Sequence, residues 1–163
     1  MTADLNETDI WQALQEVEDP ELPLISVVEM GIVRQVAISD DGVIVQMTPT
    51  FSGCPALAVM QREIGAKVRE LGFTAVTVKI VFHPPWSSDW IADSAREKLR
   101  KLGIAPPQRH GGDFQAVPFL DVAVCPHCGS KNTILKNAFG PTLCKTVWYC
   151  RDCQDGFEQF KLL

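Results

Sequence analysis

The sequence predicts an α+β fold: a small mixed three-stranded sheet with helices, in the order α-β-β-α-β-α, followed by a separate cysteine-bearing module. Three observations carry this reading. Apolar residues recur at spacings of three and four in three stretches, residues 10–17, 57–71 and 91–102. Three short segments rich in β-branched residues, 31–38, 43–48 and 75–82, alternate with those stretches. Five of the six cysteines crowd into the last 39 residues, four of them as two CxxC pairs.

Asn6 opens the first helix as an N-cap, with Asp9 three positions on, where a carboxylate suits the positive end of the helix. Ile10, Trp11, Leu14 and Val17 then mark one face. Asp19-Pro20 stops the helix, because the residue before a proline avoids the helical region. DPELPLISVVEMG (19–31) reads as an extended, proline-punctuated loop. Segments 31–38 and 43–48 flank SDDG, a tight-turn sequence, and so form a β-hairpin.

Pro55 fits the first position of the second helix, which makes Cys54 its N-cap. Leu57, Met60, Ile64, Val68 and Leu71 share a face closed by Gly72. AVTVKIVF (75–82) is the third strand. Ser87, Ser88 and Asp89 offer N-caps for a third helix, with Ile91, Ala95, Leu99 and Leu102 on one face and Gly103 as the stop. Residues 105–118 read as a linker by composition, which bounds a first domain at 1–104 and a second at 119–163.

Charge and composition narrow the function classes. With 46% hydrophobic residues, a packed core needs no disulfides. The first 21 residues carry seven acids and no base, and the chain as a whole has a net charge of −5. Nucleic acid would meet repulsion, since binding it depends on neutralising phosphates. No apolar run is long enough to span a membrane, and MTADLNETDIWQ lacks the basic and apolar regions of a signal peptide. A cytoplasmic setting follows, in which thiols stay reduced and CxxC pairs are read as metal sites.

Strand order brings the polar loops together. A strand, a crossover helix and a further strand make a βαβ unit with parallel strands. The loops leaving those strands, TPTFSGC and HPPWSSD, therefore lie at one sheet edge. The hairpin is antiparallel, so VVEMG, with DPE before it, enters at the same edge. Cys54 sits in this convergence, with Thr48, Thr50 and Ser52 beside it and His83 and Asp89 on the neighbouring loop. A helix N-terminus favours thiolate over thiol, and thiolate ligates metals or attacks electrophiles. The residues alone leave three readings of Cys54 open: a small buried hydrophobe, a nucleophile with His83 as base, or a metal or cluster ligand.

In the C-terminal module, CPHC (125–128) and CRDC (150–153) are separated by 21 residues. That is the pattern of a tetrahedral four-cysteine zinc ribbon held by Cys125, Cys128, Cys150 and Cys153. Short strands near 119–124, 132–136, 143–149 and 156–161 would frame the knuckles. Protein fills all four coordination positions, so the ion is structural, and spacing alone does not separate zinc from iron. Cys144 and His127 are extra donors that the paired cysteines leave unneeded.

DPE (19–21), MGIV (30–33) and TPTFSGCP (48–55) together resemble the signature of the iron–sulfur cluster assembly family of SufT and the cytosolic iron–sulfur targeting factors, over roughly residues 5–104. FHPPWSSDWI (82–91) and the ribbon with FGPTLCK (139–145) resemble one branch of it, the D-type (PaaD) subunits of the phenylacetyl-CoA epoxidase system. The resemblance implies a non-enzymatic maturation factor for phenylacetate degradation. Its partners would be the epoxidase oxygenase and reductase subunits and the iron–sulfur assembly machinery. By the family match Cys54 is the contact for a transient iron–sulfur cluster or iron, and Asp19, Glu21 and Glu29 belong to the loops around it. One cysteine per domain is too few to hold a cluster, which implies a homodimer or non-cysteine ligands.

Overall fold

A computed structural model describes residues 5–112 and 122–162. The chain divides between Trp86 and Ser87 into two compact units. The boundary expected from composition lies later, after residue 104. The third helix therefore falls in the second unit.

In the first unit, α1 (Glu7–Leu14) starts at Asn6. Its side chain accepts from the backbone of Thr8 and Asp9 while the Asp9 carboxylate accepts from the Asn6 N–H at 2.8 Å. This reciprocal cap satisfies donors that a helix start otherwise leaves without partners. Ile10 and Leu14 are fully buried. The expected loop after α1 contains a two-stranded pair, β1 (Glu18–Asp19) and β2 (Leu22–Ser26). Val17 and Val27 extend it through the Val27 N–H bond to the Val17 carbonyl at 2.8 Å.

The main sheet has β3 (Val33–Ser39), β4 (Gly42–Met47) and β5 (Val76–Ile80) in the order β3-β4-β5. β3 and β4 are antiparallel, while β4 and β5 are parallel, as the crossover rule requires. Gly42 turns the hairpin at φ +122, and a Cβ there would stand 2.3 Å from the Ala75 carbonyl oxygen. No other residue type fits. Val43, Val45 and Met47 alternate into the core, where α2 (Leu57–Glu70) covers them with Met60, Ile64 and Val68.

The second helix corrects one expectation. Its N-cap is Ala56, and Cys54 lies outside it. The Leu57 N–H reaches the Cys54 carbonyl at 3.2 Å, so Cys54-Pro55-Ala56 form a turn that feeds the helix. The terminal dipole acts most strongly within the first turn, so its hold on this sulfur is weaker than that on an N-cap.

In the second unit, Ser87 caps a short 3-10 turn at Ser88–Trp90 through the Asp89 N–H. The α-helix itself, α3 (Asp93–Lys101), begins after Ala92. Ser87, Ser88 and Asp89 are therefore not its N-caps. Ile91, Ala95 and Leu99 are buried as expected, whereas Leu102 is exposed.

Segment 105–112 is not a free linker. Buried Arg96 donates to the carbonyls of Ser88 (2.7 Å), Ile91 (3.2 Å) and Pro107. Arg109 bonds the Asp93 carboxylate and the Asp89 carbonyl. β6 (Ile104–Ala105) pairs in parallel with β9 (Gly156–Phe160). The ribbon sheet runs β6-β9-β8-β7, with β7 at Thr133–Asn137 and β8 at Lys145–Cys150. The strand expected at 119–124 lies mostly outside the described residues, and 122–124 are not strand.

Candidate functional site

The candidate residues fall into two sets, one in each unit. In the first unit the exits of β4 and β5 and the entry to β3 meet. The Thr48 N–H donates to the Ile32 carbonyl at 2.8 Å, and the Val81 N–H donates to the Met47 carbonyl at 2.9 Å. The indole N–H of buried Trp86 donates to the Met30 carbonyl at 2.9 Å. These bonds tie the segments that begin TPT and HPPW to MGI. TPTFSGC then leads from Thr48 into the turn at Cys54.

The predicted site residues differ in what they do there. Cys54 is half-buried. Thr48 is 2% exposed, and its hydroxyl has no hydrogen-bond partner among the described residues. A buried hydroxyl in that state costs about 1–3 kcal/mol. Thr50 is half-buried, and Ser52 and His83 are exposed.

The acids are structural in their visible bonds. Asp19 is buried and accepts the Glu21 N–H at 2.8 Å, which fixes the DPE turn. Glu29 accepts the Ser26 N–H while Ser26 Oγ accepts the Glu29 N–H, both at 3.0 Å. Ser26 also donates to Gln15 Oε1 at 3.0 Å, so this box anchors the VVEMG turn to the end of α1.

Asp89 lies in the second unit. Burial pushes its pKa up, but the backbone N–H groups of His110, Gly111 and Gly112 and the nearby His110 ring outweigh that and leave it below the ordinary value. His110 Nδ1 accepts the Gly112 N–H at 3.1 Å, and Nε2 faces Ser87 Oγ at 3.2 Å. Ser87, Asp89 and His110 are a clasp on the 105–112 segment.

The second unit brings four cysteine sulfurs together as a candidate metal site. Sγ atoms of Cys125, Cys128, Cys150 and Cys153 lie within 4.8 Å of one another. Cys125–Cys153 is 3.7 Å and Cys128–Cys150 is 3.6 Å. Four thiolates at about 2.3 Å from a tetrahedral ion stand roughly 3.8 Å apart, so the sulfurs fit such an ion.

The two knuckles repeat each other. Cys125 N–H bonds the Ser130 carbonyl (2.9 Å) and Cys150 N–H bonds the Asp155 carbonyl (2.8 Å). In both, the residue after the second cysteine has positive φ, Gly129 at 76° and Gln154 at 60°. Backbone N–H groups of Cys153 and Asp152 face the Cys150 sulfur and lower its pKa to about 7. Asp152 crosses between the knuckles, accepting from Ser130 Oγ at 2.5 Å and Asn132 Nδ2 at 2.7 Å. Cys144 stands apart from the four, buried, with Thr142 Oγ1 at 3.1 Å from its sulfur. His127 faces Asp155 at 3.8 Å.

Comparison with known proteins matches both halves. Residues 7–80 match the family described as iron-sulfur cluster assembly protein, and residues 118–161 match the PaaD zinc beta ribbon domain. The chain is 37% identical to an Escherichia coli (strain K12) protein named as the D-type subunit of a "Putative 1,2-phenylacetyl-CoA epoxidase", over 95% of this chain and 92% of that one. It is 34% identical to a Porphyromonas gingivalis Fe-S protein maturation auxiliary factor, over 57% of this chain and 90% of that one. A solved structure, a conserved hypothetical protein from Thermotoga maritima, aligns at a TM-score of 0.53 and 31% identity, covering 61% of this chain and 98% of that one. No helix among the described residues is long and apolar enough to cross a membrane.

Proposed function

The chain belongs to the family of D-type phenylacetyl-CoA epoxidase subunits, and on that premise we propose that it is an accessory maturation factor, not a catalyst, which hands an iron–sulfur cluster or iron to the epoxidase through Cys54. The carrying observation is the pairing of a half-buried cysteine with a buried hydroxyl that has no partner among the described residues, on one short loop, Thr48 to Cys54. The hydroxyl supports the reading because a buried donor without a protein partner is costly, and a group bound beside it would offset that cost. The cargo is a substrate here, held briefly and passed on. One sulfur per chain supports a dimer or a client that supplies the remaining ligands.

Within this reading the ribbon holds zinc for structure. A module of this size has little core, so the ion supplies much of its folding energy. Its outer turn supports a part in choosing the client. Phe139 and Leu143 are 65% and 56% exposed there, on a turn braced by the Gly140 N–H bond to the Lys145 carbonyl at 2.8 Å. Residues 1–104 would then handle cargo and 119–163 would dock the oxygenase or reductase subunit in the cytoplasm, with the assembly machinery as the source of cargo.

Anaerobic reconstitution followed by iron, sulfide and zinc analysis tests the proposal. The wild-type chain should take up iron beyond its ribbon metal. Cys54→Ser should keep the ribbon zinc and lose the iron and sulfide. Equal iron and sulfide in both proteins would remove Cys54 from cargo handling.

A further inference from the structure

The main sheet ends on an open edge. Val43 N–H bonds the Ala75 carbonyl and Val81 N–H bonds the Met47 carbonyl, so odd-numbered residues of β5 face β4. Even-numbered Val76, Val78 and Ile80 therefore turn their backbone N–H and C=O groups outward. Only the Val78 carbonyl has a partner there among the described residues, the Gln61 side chain at 2.9 Å. Among the described residues no further strand pairs with this edge.

The side chains of the same three residues point to the core face, yet each is only half-buried. Beside them α2 and β5 leave a groove of about 320 Å³ lined by Ala58, Gln61, Arg62, Arg69, Val76 and Val78. A Cβ at Gly65 would stand 3.1 Å from Arg69 Nη1 and 3.5 Å from Val78 Cγ2, so Gly65 lies beside both the Arg69 guanidinium and the Val78 side chain. Among the described residues Arg62 pairs only with Glu63, and both side chains are more than half exposed, so that bridge is weak and readily exchanged.

We propose that the β5 edge is a docking site for an extended acidic segment of another protein, which adds as a fourth strand and sets carboxylates against Arg62 and Arg69. Outward N–H and C=O groups supply the backbone bonds of strand addition, and the half-buried valines give the methylene stems of the carboxylate side chains an apolar surface. The two arginines choose the occupant. A second copy of this chain, paired edge to edge about a two-fold axis, would bring both sets of arginines onto one face and repel. A carboxylate-bearing strand is attracted. This site does not involve Cys54 and does not rest on the maturation reading.

The test uses the full chain, labelled with nitrogen-15, titrated with an acetylated and amidated peptide of alternating Glu and Val. A Lys–Val peptide of the same length is the control. Shifts should concentrate at the amides of Val76, Val78 and Ile80, with binding at least tenfold weaker for the Lys–Val peptide. Arg69→Glu should weaken the Glu–Val peptide at least tenfold. So should Val78→Pro, which removes an outward N–H and leaves the ladder to β4 intact. If Val78→Pro fails to fold, N-methylation of alternate peptide residues makes the same cut from the other side.

Equal binding of the two peptides, indifference to these changes, or shifts away from β5 would overturn the proposal. Concentration-dependent shifts of the same amides without peptide would overturn it in favour of self-association.

Discussion

Trp86 and Met30 are 56 positions apart in sequence and joined by one bond, the buried indole N–H to the Met30 carbonyl at 2.9 Å. The bond links the loop after β5 to the turn before β3. Two of the three loops at the candidate site are therefore fixed to each other by a side chain, independently of the ladder.

Trp86→Phe keeps most of the apolar contact and leaves the Met30 carbonyl without its donor. The expected loss is about 1–3 kcal/mol of stability, read by urea denaturation. The same change should free the two loops relative to one another and lower iron uptake in reconstitution. A variant of unchanged stability would mean that water or another donor replaces the indole.

Acid should loosen the 105–112 segment. The Asp89 carboxylate is only partly exposed and its pKa is held below the ordinary value by backbone N–H groups of His110, Gly111 and Gly112. A depressed folded pKa gives stability that is present above the unfolded value and lost as pH falls through the folded one. Protection of the His110 and Gly112 amides, relative to their intrinsic exchange rates at each pH, should therefore be high near neutrality and fall below about pH 4. Asp89→Asn should show the low protection at neutral pH as well.

The two knuckles make opposite predictions at matched positions. Gln154 holds φ +60 where a side chain is disfavoured, and Gly129 holds φ +76 without that penalty. Gln154→Gly should raise thermal stability of the metal-loaded chain by a few tenths to about 1 kcal/mol. The gain is limited because glycine also loosens the unfolded chain. Gly129→Ala should lower stability by about 1 kcal/mol. If both changes move stability in one direction, the knuckles do not share a backbone geometry in solution.

Sequence rules reach the sheet order, the parallel β4–β5 pair and the four sulfurs, because each rests on a strong pattern: period-two alternation, a crossover of helical length, and CxxC spacing. Misses occur where the deciding group has no local signature. Ala56 and Ala92 begin helices with no side-chain cap, so Cys54 and Ser87–Asp89 drew the expectation instead. Arg96 looks like any surface arginine on a helix, yet it is buried and joins the Pro107 carbonyl of the expected linker to the carbonyls of Ser88 and Ile91. β1 and β2 are too short and too rich in proline to alternate. Thr48 is legible as a hydroxyl near Cys54 in sequence, but its burial without a partner among the described residues has no local signature.

That isolation gives a prediction that separates structure from cargo. A buried hydroxyl without a partner is unfavourable to the fold, and Val has nearly the shape of Thr without the desolvation cost. Thr48→Val should therefore raise stability by about 1 kcal/mol in chemical denaturation. On the proposed function it should also reduce iron and sulfide uptake, the hydroxyl then being kept at a cost to the fold for cargo bound beside it. Proteins commonly hold such unfavourable groups at functional sites and lose activity when they are relieved. A clear loss of stability in Thr48→Val would show that the hydroxyl already has a partner in the folded chain. A gain in stability with unchanged uptake would take Thr48 out of the site and leave Cys54 to act without it.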